Sequence, residues 1–131
     1  MGGEVVGEIG HGLCVLVGVT HDDEASHARK LADKIWHLRV FDDDAGVMNL
    51  STADAAGSVL VVSQFTLYGD TSGGRRPSWT AAARPEHAEP LVAAVVDRLR
   101  ELGATVATGR FRTEMLVRIE NDGPVTVLID L

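Results

Sequence analysis

The chain reads as an α+β protein: a curled, largely antiparallel, barrel-like sheet with two helices packed on it. Three observations predict this. Two segments, 25–38 and 85–102, repeat apolar residues at helical spacing. Paired apolar runs around turn residues, at 4–19 and 39–50, look like hairpins. The last 30 or so residues hold further short apolar runs, so strands outnumber helices and should pair with their neighbours in sequence.

Taken in order, Glu4 to Ile9 alternates, meets the turn Gly10-His11-Gly12, and continues into the apolar run Leu13 to Val19. That is a hairpin signal. Thr20-His21-Asp22-Asp23 fits the capping-box pattern. Beyond it Ala25, Ala28, Leu31, Ala32, Ile35 and Leu38 form one apolar stripe, predicting a helix to about Leu38. Arg39 to Phe41 and Val47 to Leu50 flank Asp42-Asp43-Asp44-Ala45-Gly46 as a second hairpin.

Ser58 to Phe65 is apolar until Ser63, the pattern of a central strand buried on both faces. Thr71 to Pro77 is a Gly/Arg loop. Leu91, Val95, Leu99 and Leu102 mark a second helix opening at Pro85, with Pro90 in or near its first turn and Gly103 at its C-terminal cap. Ala104 to Thr108, Met115 to Glu120 and Val125 to Asp130 are the remaining predicted strands.

At 131 residues the chain is expected to form one domain, 1–131, with a continuous core. Hydrophobic residues make up 45% and charged residues 24%, an ordinary globular balance. No apolar run approaches the roughly 18 residues of a membrane span, and the N-terminus lacks a signal-peptide pattern. The single cysteine, Cys14, sits in an apolar run and has no intrachain disulfide partner, so a buried structural thiol and a cytoplasmic location are expected. A net charge of −7 argues against a protein that coats nucleic acid electrostatically. It leaves open an enzyme that grips one end of an RNA. Arg75 and Arg76 are the one local concentration of positive charge in a loop.

No metal or cofactor is expected. The run Asp42 to Asp44 with Gly46 looks faintly like a calcium loop, but the carboxylate needed at the twelfth position falls at Ala53, leaving a solvated turn. His11, His21, His27, His37 and His87 are scattered without zinc-site spacing, and His37 reads as a surface or capping residue near a helix end. No phosphate-binding glycine loop or nucleophile elbow is present.

Two segments carry more. Ser63-Gln64-Phe65-Thr66-Leu67 ends a buried strand in polar groups that need partners. Alone, it could be a strand end whose hydroxyls tie down the next loop. Asn121-Asp122-Gly123-Pro124-Val125-Thr126 lies between two apolar runs and, alone, could be a plain turn.

Together these two strings resemble the signature motifs of the D-aminoacyl-tRNA deacylases. The resemblance runs along nearly the whole chain, through Gly46-Val47-Met48-Asn49-Leu50-Ser51, Arg76-Pro77-Ser78-Trp79, Ala82-Ala83-Arg84-Pro85-Glu86 and Thr108-Gly109-Arg110-Phe111 in the family's order. It implies a deacylase-like fold and a proofreading hydrolase. The substrate would be the ester of a D-amino acid, or of mischarged glycine, on the terminal adenosine of tRNA. It further implies an RNA-binding homodimer with active sites at the subunit interface.

Carried over residue by residue, the resemblance makes Ser63, Gln64, Phe65 and Thr66 the catalytic segment. Backbone N–H groups around Phe65 and Thr66 would receive the oxyanion, with Gln64 and Ser63 holding the loop's shape. Gly123 and Pro124, joined by a cis bond, would project into the partner's pocket as a chiral gate, with Asn121 and Thr126 in the same motif. Met115 would pack in the pocket. The nucleophile is either the Thr66 hydroxyl or a water helped by the RNA's own 2′-hydroxyl. With no histidine next to either motif to act as base, water is favoured. Relatives usually begin with a strand that this chain is expected to lack, so the alternative is a catalytically weakened tRNA-binding paralogue.

Overall fold

Branched apolar residues at 13–17 and 58–62 give two strands of high β propensity. The computed structural model describes residues 2–131; Met1, with which the expected domain opens, lies outside the described residues. It places β1 (Gly12–Val17) beside β4 (Ser58–Ser63), and β4 beside β5 (Val106–Thr108), in a three-stranded sheet of order β1-β4-β5. Both pairings are parallel, with Gly12 opposite Ser58 and Val59 opposite Val106. A separate two-stranded antiparallel ribbon joins β2 (Phe41–Asp42) to β3 (Met48–Leu50).

The α+β class and the two helices are as expected. The largely antiparallel sheet is not. Parallel neighbours need long crossovers, and the chain supplies them. Helix α1 (Ala25–His37) lies between β1 and β4, and α2 (Pro85–Glu101) between β4 and β5. The predicted hairpin at 4–19 is absent, because residues 4–9 form no strand. Gly12 is a glycine for another reason than a turn: a Cβ there would overlap the Ser58 carbonyl where the parallel ladder begins.

The other predicted C-terminal strands, 115–120 and 125–130, are likewise not strands. Residues 111–118 alternate between half-buried and exposed, a strand-like period without a ladder.

Helix α1 starts after Glu24, whose N–H donates to His27 Nδ1 at 2.9 Å. The expected cap at Thr20–Asp23 instead closes a turn, with Thr20 N–H donating to the Asp23 carboxylate at 2.9 Å. His37 ends α1, exposed, with its Nδ1 2.9 Å from the Asp33 carbonyl oxygen. Helix α2 starts at Pro85 and closes at Gly103, whose φ of 102° suits glycine. Pro90 lies inside α2 beyond the first turn, on an exposed flank where water can satisfy the carbonyl its ring leaves without a donor.

The core is one layer of helices on one face of the sheet. Ala28, Ala32, Ile35 and Trp36 of α1 and Val95, Val96 and Leu99 of α2 pack on Val17, Val59 and Val61. The opposite face is thinner: Val62 is buried, but Cys14 and Leu60 are half-buried and Leu16 is exposed. Burial pushes the Cys14 thiol above its usual range, so it stays protonated and inert near neutrality.

Candidate functional site

The first motif begins where the sheet ends. Val62 is the last buried residue of β4, and Gln64 N–H donates to the Val17 carbonyl of β1 at 2.8 Å, one residue beyond the strand. The chain then turns into a 3₁₀ helix, Phe65–Tyr68, in which Leu67 N–H reaches the Gln64 carbonyl at 3.3 Å. The first N–H groups of any helical turn have no partner inside it, and here those are Phe65 and Thr66. Ser63 and Gln64 are half-buried, whereas Phe65, Thr66 and Leu67 face outward.

Gln64 Nε2 donates to Thr66 Oγ1 at 3.0 Å. The Thr66 hydroxyl is thus held by an amide, and no histidine or carboxylate hydrogen-bonds to it among the described residues. Tyr68, at the end of the turn, has its phenol pushed above the usual value near 10, first by burial and then by Asp23 and Asp130. It is therefore un-ionised near neutral pH.

The loop after the motif folds back. Asp70 and Ser78 exchange two backbone hydrogen bonds of 2.8 Å each, closing the exposed stretch 71–77 that carries Arg75 and Arg76. Trp79 then meets Phe65 edge to face, with ring centroids 5.4 Å apart. Sequence reasoning placed Trp79 only within a family-like string. The signal that could have brought it to Phe65 is the pair of polar residues, Asp70 and Ser78, flanking a glycine-rich loop.

Met115 reaches the same end of the sheet. Its side chain lies over Gly109, where a Cβ would stand 2.7 Å from Met115 Sδ and 3.8 Å from Val62 Cγ1. The second motif is elsewhere. Its Gly123-Pro124 peptide bond is cis, as expected, and both residues are exposed. Asn121 holds the turn by itself: its Oδ1 accepts from Val125 N–H at 3.0 Å and its Nδ2 donates to Thr126 Oγ1 at 3.1 Å. The chain therefore brings Ser63, Gln64, Phe65, Thr66 and Met115 to one sheet end, and groups Asn121, Gly123, Pro124 and Thr126 in a separate turn. No hydrogen bond joins the two groups among the described residues.

Among the described residues no three His, Cys, Asp or Glu side chains come together as a metal site, and no helix is long and apolar enough to cross a membrane. The depressed pKa values of Asp43, Asp54 and Asp70 follow from hydrogen bonds to backbone and side-chain donors in their own turns. These are turn-stabilising carboxylates.

Comparison with known proteins matches residues 1–130 to the D-Tyr-tRNA(Tyr) deacylase family. A D-aminoacyl-tRNA deacylase of Symbiobacterium thermophilum is 58% identical over 130 residues, covering 99% of this chain and 86% of that protein. The deacylase of Thermus aquaticus is 56% identical over 130 residues, with the same shares covered. A solved structure described as c-Myc DNA Unwinding Element Binding Protein superposes with a TM-score of 0.85 at 36% identity, over 91% of this chain and 81% of that one. A probable eukaryotic D-amino acid tRNA deacylase shares the fold, with a TM-score of 0.72 at 15% identity, over 86% of this chain and 81% of that one. With its first motif seated at the end of β4 and its second motif intact, the chain belongs to the D-Tyr-tRNA(Tyr) deacylase family.

Proposed function

We propose that this protein hydrolyses the ester linking a D-amino acid, or mischarged glycine, to the terminal adenosine of tRNA, and so proofreads handedness in the cytoplasm. The observation that carries the reading is the first motif: an outward-facing 3₁₀ turn whose first N–H groups have no partner inside it, fixed to the sheet at Gln64, within a chain matched to the family over its length.

The chemistry follows from what the turn offers. Water attacks the ester carbonyl carbon, and the carbonyl oxygen takes up negative charge in the tetrahedral intermediate. In this reading the N–H groups of Phe65 and Thr66, unpartnered within the turn, receive that charge, and preorganised donors of this kind lower such barriers. The carbon–oxygen bond to the ribose then breaks. The attacking water's proton passes, by way of the neighbouring ribose hydroxyl, to the departing ribose oxygen. Thr66, held by Gln64 and without a base, positions the turn and is not the nucleophile. No metal or cofactor enters this scheme.

The working unit is a homodimer with its sites at the interface. Support comes from the second motif and the tail around it, which expose Leu116, Ile119, Val127, Leu128 and Leu131 along with Gly123 and Pro124. A single chain has little reason to leave so much apolar surface in water. A second copy would cover it and bring the Asn121-braced turn to the first chain's Phe65–Thr66 segment. There the turn's backbone excludes the Cβ of an L-residue while a D-side chain points away, which is rejection by a steric clash.

The test is hydrolysis of D-tyrosyl-tRNA against L-tyrosyl-tRNA, with and without a chelator. The reading expects cleavage of the D-ester, sparing of the L-ester, and no effect of the chelator. Binding of tRNA without cleavage of either ester would favour the weakened paralogue.

A further inference from the structure

The loop closed by Asp70 and Ser78 has features that holding the ester alone does not require. Every residue from 71 to 77 is exposed, and at its far end stand Arg75 and Arg76. Five other arginines are engaged: Arg98 pairs with Asp33 and Glu101, Arg84 with Glu86, and Arg110 with Glu4, while Arg39 and Arg100 donate to backbone carbonyls. Arg29, Arg112 and Arg118 stand without an ion pair among the described residues, but each is separated from the next arginine in the sequence, whereas Arg75 and Arg76 are neighbours. Arg75 and Arg76 form no ion pair among the described residues. In a chain of net charge −7, two adjacent free guanidinium groups on one loop are a local reversal of the field.

The base of this loop is fixed on both sides. The Asp70 carboxylate accepts from Ser72 N–H at 2.9 Å and Ser72 Oγ at 2.6 Å. The returning segment is tied to the loop between β1 and α1: Thr20 Oγ1 donates to the Ala81 carbonyl at 2.6 Å, and His21 Nε2 lies 2.6 Å from the Thr80 carbonyl. Trp79, 42% exposed, stands at this base against Gly69 and edge-on to Phe65, itself 56% exposed. One open aromatic ring of the reacting turn and a second on the returning segment thus meet at the base of a loop that carries two arginines without ion pairs. That juxtaposition is what single-stranded nucleic acid needs: flat faces for unstacked bases and cations for the phosphates between them.

We propose that the 71–77 loop is a grip for the single-stranded 3′ end of tRNA, in which Arg75 and Arg76 pair with phosphates and the Trp79 ring stacks on a base preceding the terminal adenosine. The inference rests on the deacylase reading for the identity of the RNA, and extends it from the ester to the strand that carries it. Duplex RNA fits less well, because its base faces are stacked away. The grip would let an acidic protein favour an ester on tRNA over the same ester on a nucleoside.

The test uses the full chain and an uncharged acceptor-stem RNA hairpin with a single-stranded 3′ end, followed by fluorescence anisotropy over a range of salt. The double variant Arg75→Ala/Arg76→Ala should bind about tenfold or more weakly, with a salt slope reduced by about two, one for each lost phosphate contact. Arg75→Lys/Arg76→Lys should recover much of the slope. Trp79→Leu should weaken the overhang hairpin and leave the weak binding of a blunt one as it was. In parallel, the preference in kcat/KM for D-tyrosyl-tRNA over D-tyrosyl-adenosine should fall about tenfold in the arginine double variant. Unchanged affinity and slope, equal binding of blunt and overhang hairpins by the wild type, or a preserved preference would overturn the grip. Wild-type protein that binds the overhang but cleaves neither ester would instead overturn the deacylase reading and leave the grip standing.

Discussion

The two motifs are built in opposite ways. Ser63-Gln64-Phe65-Thr66 grows out of the central strand: Val62 is buried beneath it, the Gln64 backbone is bonded to β1, and Trp79 leans on Phe65. Asn121-Asp122-Gly123-Pro124-Val125-Thr126 belongs to no strand, is mostly exposed, and among the described residues is braced only by Asn121. Anchoring in the sheet suits the catalytic role proposed for the first motif, because a catalytic turn must stay within fractions of an ångström of its reacting atoms. A turn that holds its own shape but touches little of its own chain is suited to insertion elsewhere. The difference fits the proposed dimer, in which one chain supplies one wall of the site and a second copy supplies the other.

The largest expected effect contrasts the core beneath the first region with the tail that carries the second. Leu99, fully buried, should lose about 2–5 kcal/mol of unfolding free energy on mutation to Ala, at any protein concentration. Leu128, 91% exposed, should act differently. Leu128→Asp should leave the circular dichroism of the chain intact and shift sedimentation from dimer toward monomer. A variant that sediments as a dimer at every concentration would place the interface elsewhere.

Next in size is the brace of the second motif. Asn121→Ala removes both bonds that hold the turn, and the ratio of D- to L-tyrosyl-tRNA cleavage should fall about tenfold or more with little change in melting temperature. Unaltered discrimination would mean the turn needs no brace.

A smaller effect is expected at Thr66. Thr66→Ala loses a hydroxyl that only accepts from Gln64, so D-ester cleavage should stay within about tenfold of wild type. Complete loss, with circular dichroism unchanged, would establish the hydroxyl as the nucleophile.

How much of this was legible in the sequence depends on which forces are local. Helices α1 and α2, the Asp-rich hairpin turn between β2 and β3, the Gly103 cap and the central strand β4 were all readable, because apolar period and turn chemistry are written along the chain. Strand direction is not. Leu13 to Val17 pairs with 59–63 rather than with the residues before it, and nothing local says so. Gly12 looked like a turn residue because its real reason, contact with Ser58, lies far along the chain. In the tail, apolar runs at 115–120 and 125–130 suggested strands, but apolar character alone cannot say whether a backbone partner lies alongside, and among the described residues none does. The first motif and the Gly123-Pro124 turn were singled out by motif resemblance, whereas the neighbourhood of Phe65, Trp79 and the arginine loop needed three-dimensional structure.

The smallest expected effect separates fold from site. Asp33 is held below its usual value near 3.8 first by the hydrogen bond from Arg98, 2.8 Å away. A depressed carboxylate contributes stability that is present above its unfolded-state value and lost as pH falls through the lower folded value. Asp33→Asn should therefore lower the melting temperature slightly at pH 7, the pair being partly exposed, and the deficit should shrink as pH drops below about 3.8. Discrimination between D- and L-esters should not change. An effect on discrimination would show that the helix pair, too, shapes the site.

The shared site can be tested most directly by complementation. One protein carries Gln64→Ala and Phe65→Ala in the first motif; the other carries Asn121→Ala and Gly123→Val in the second. Each alone should cleave D-tyrosyl-tRNA poorly. Co-expressed, half of the dimers should be mixed, and each mixed dimer rebuilds one of its two sites, restoring about a quarter of the wild-type rate. Activity no greater than the sum of the two separate variants, in a sample shown by mass spectrometry to contain mixed dimers, would contradict a site built from two chains.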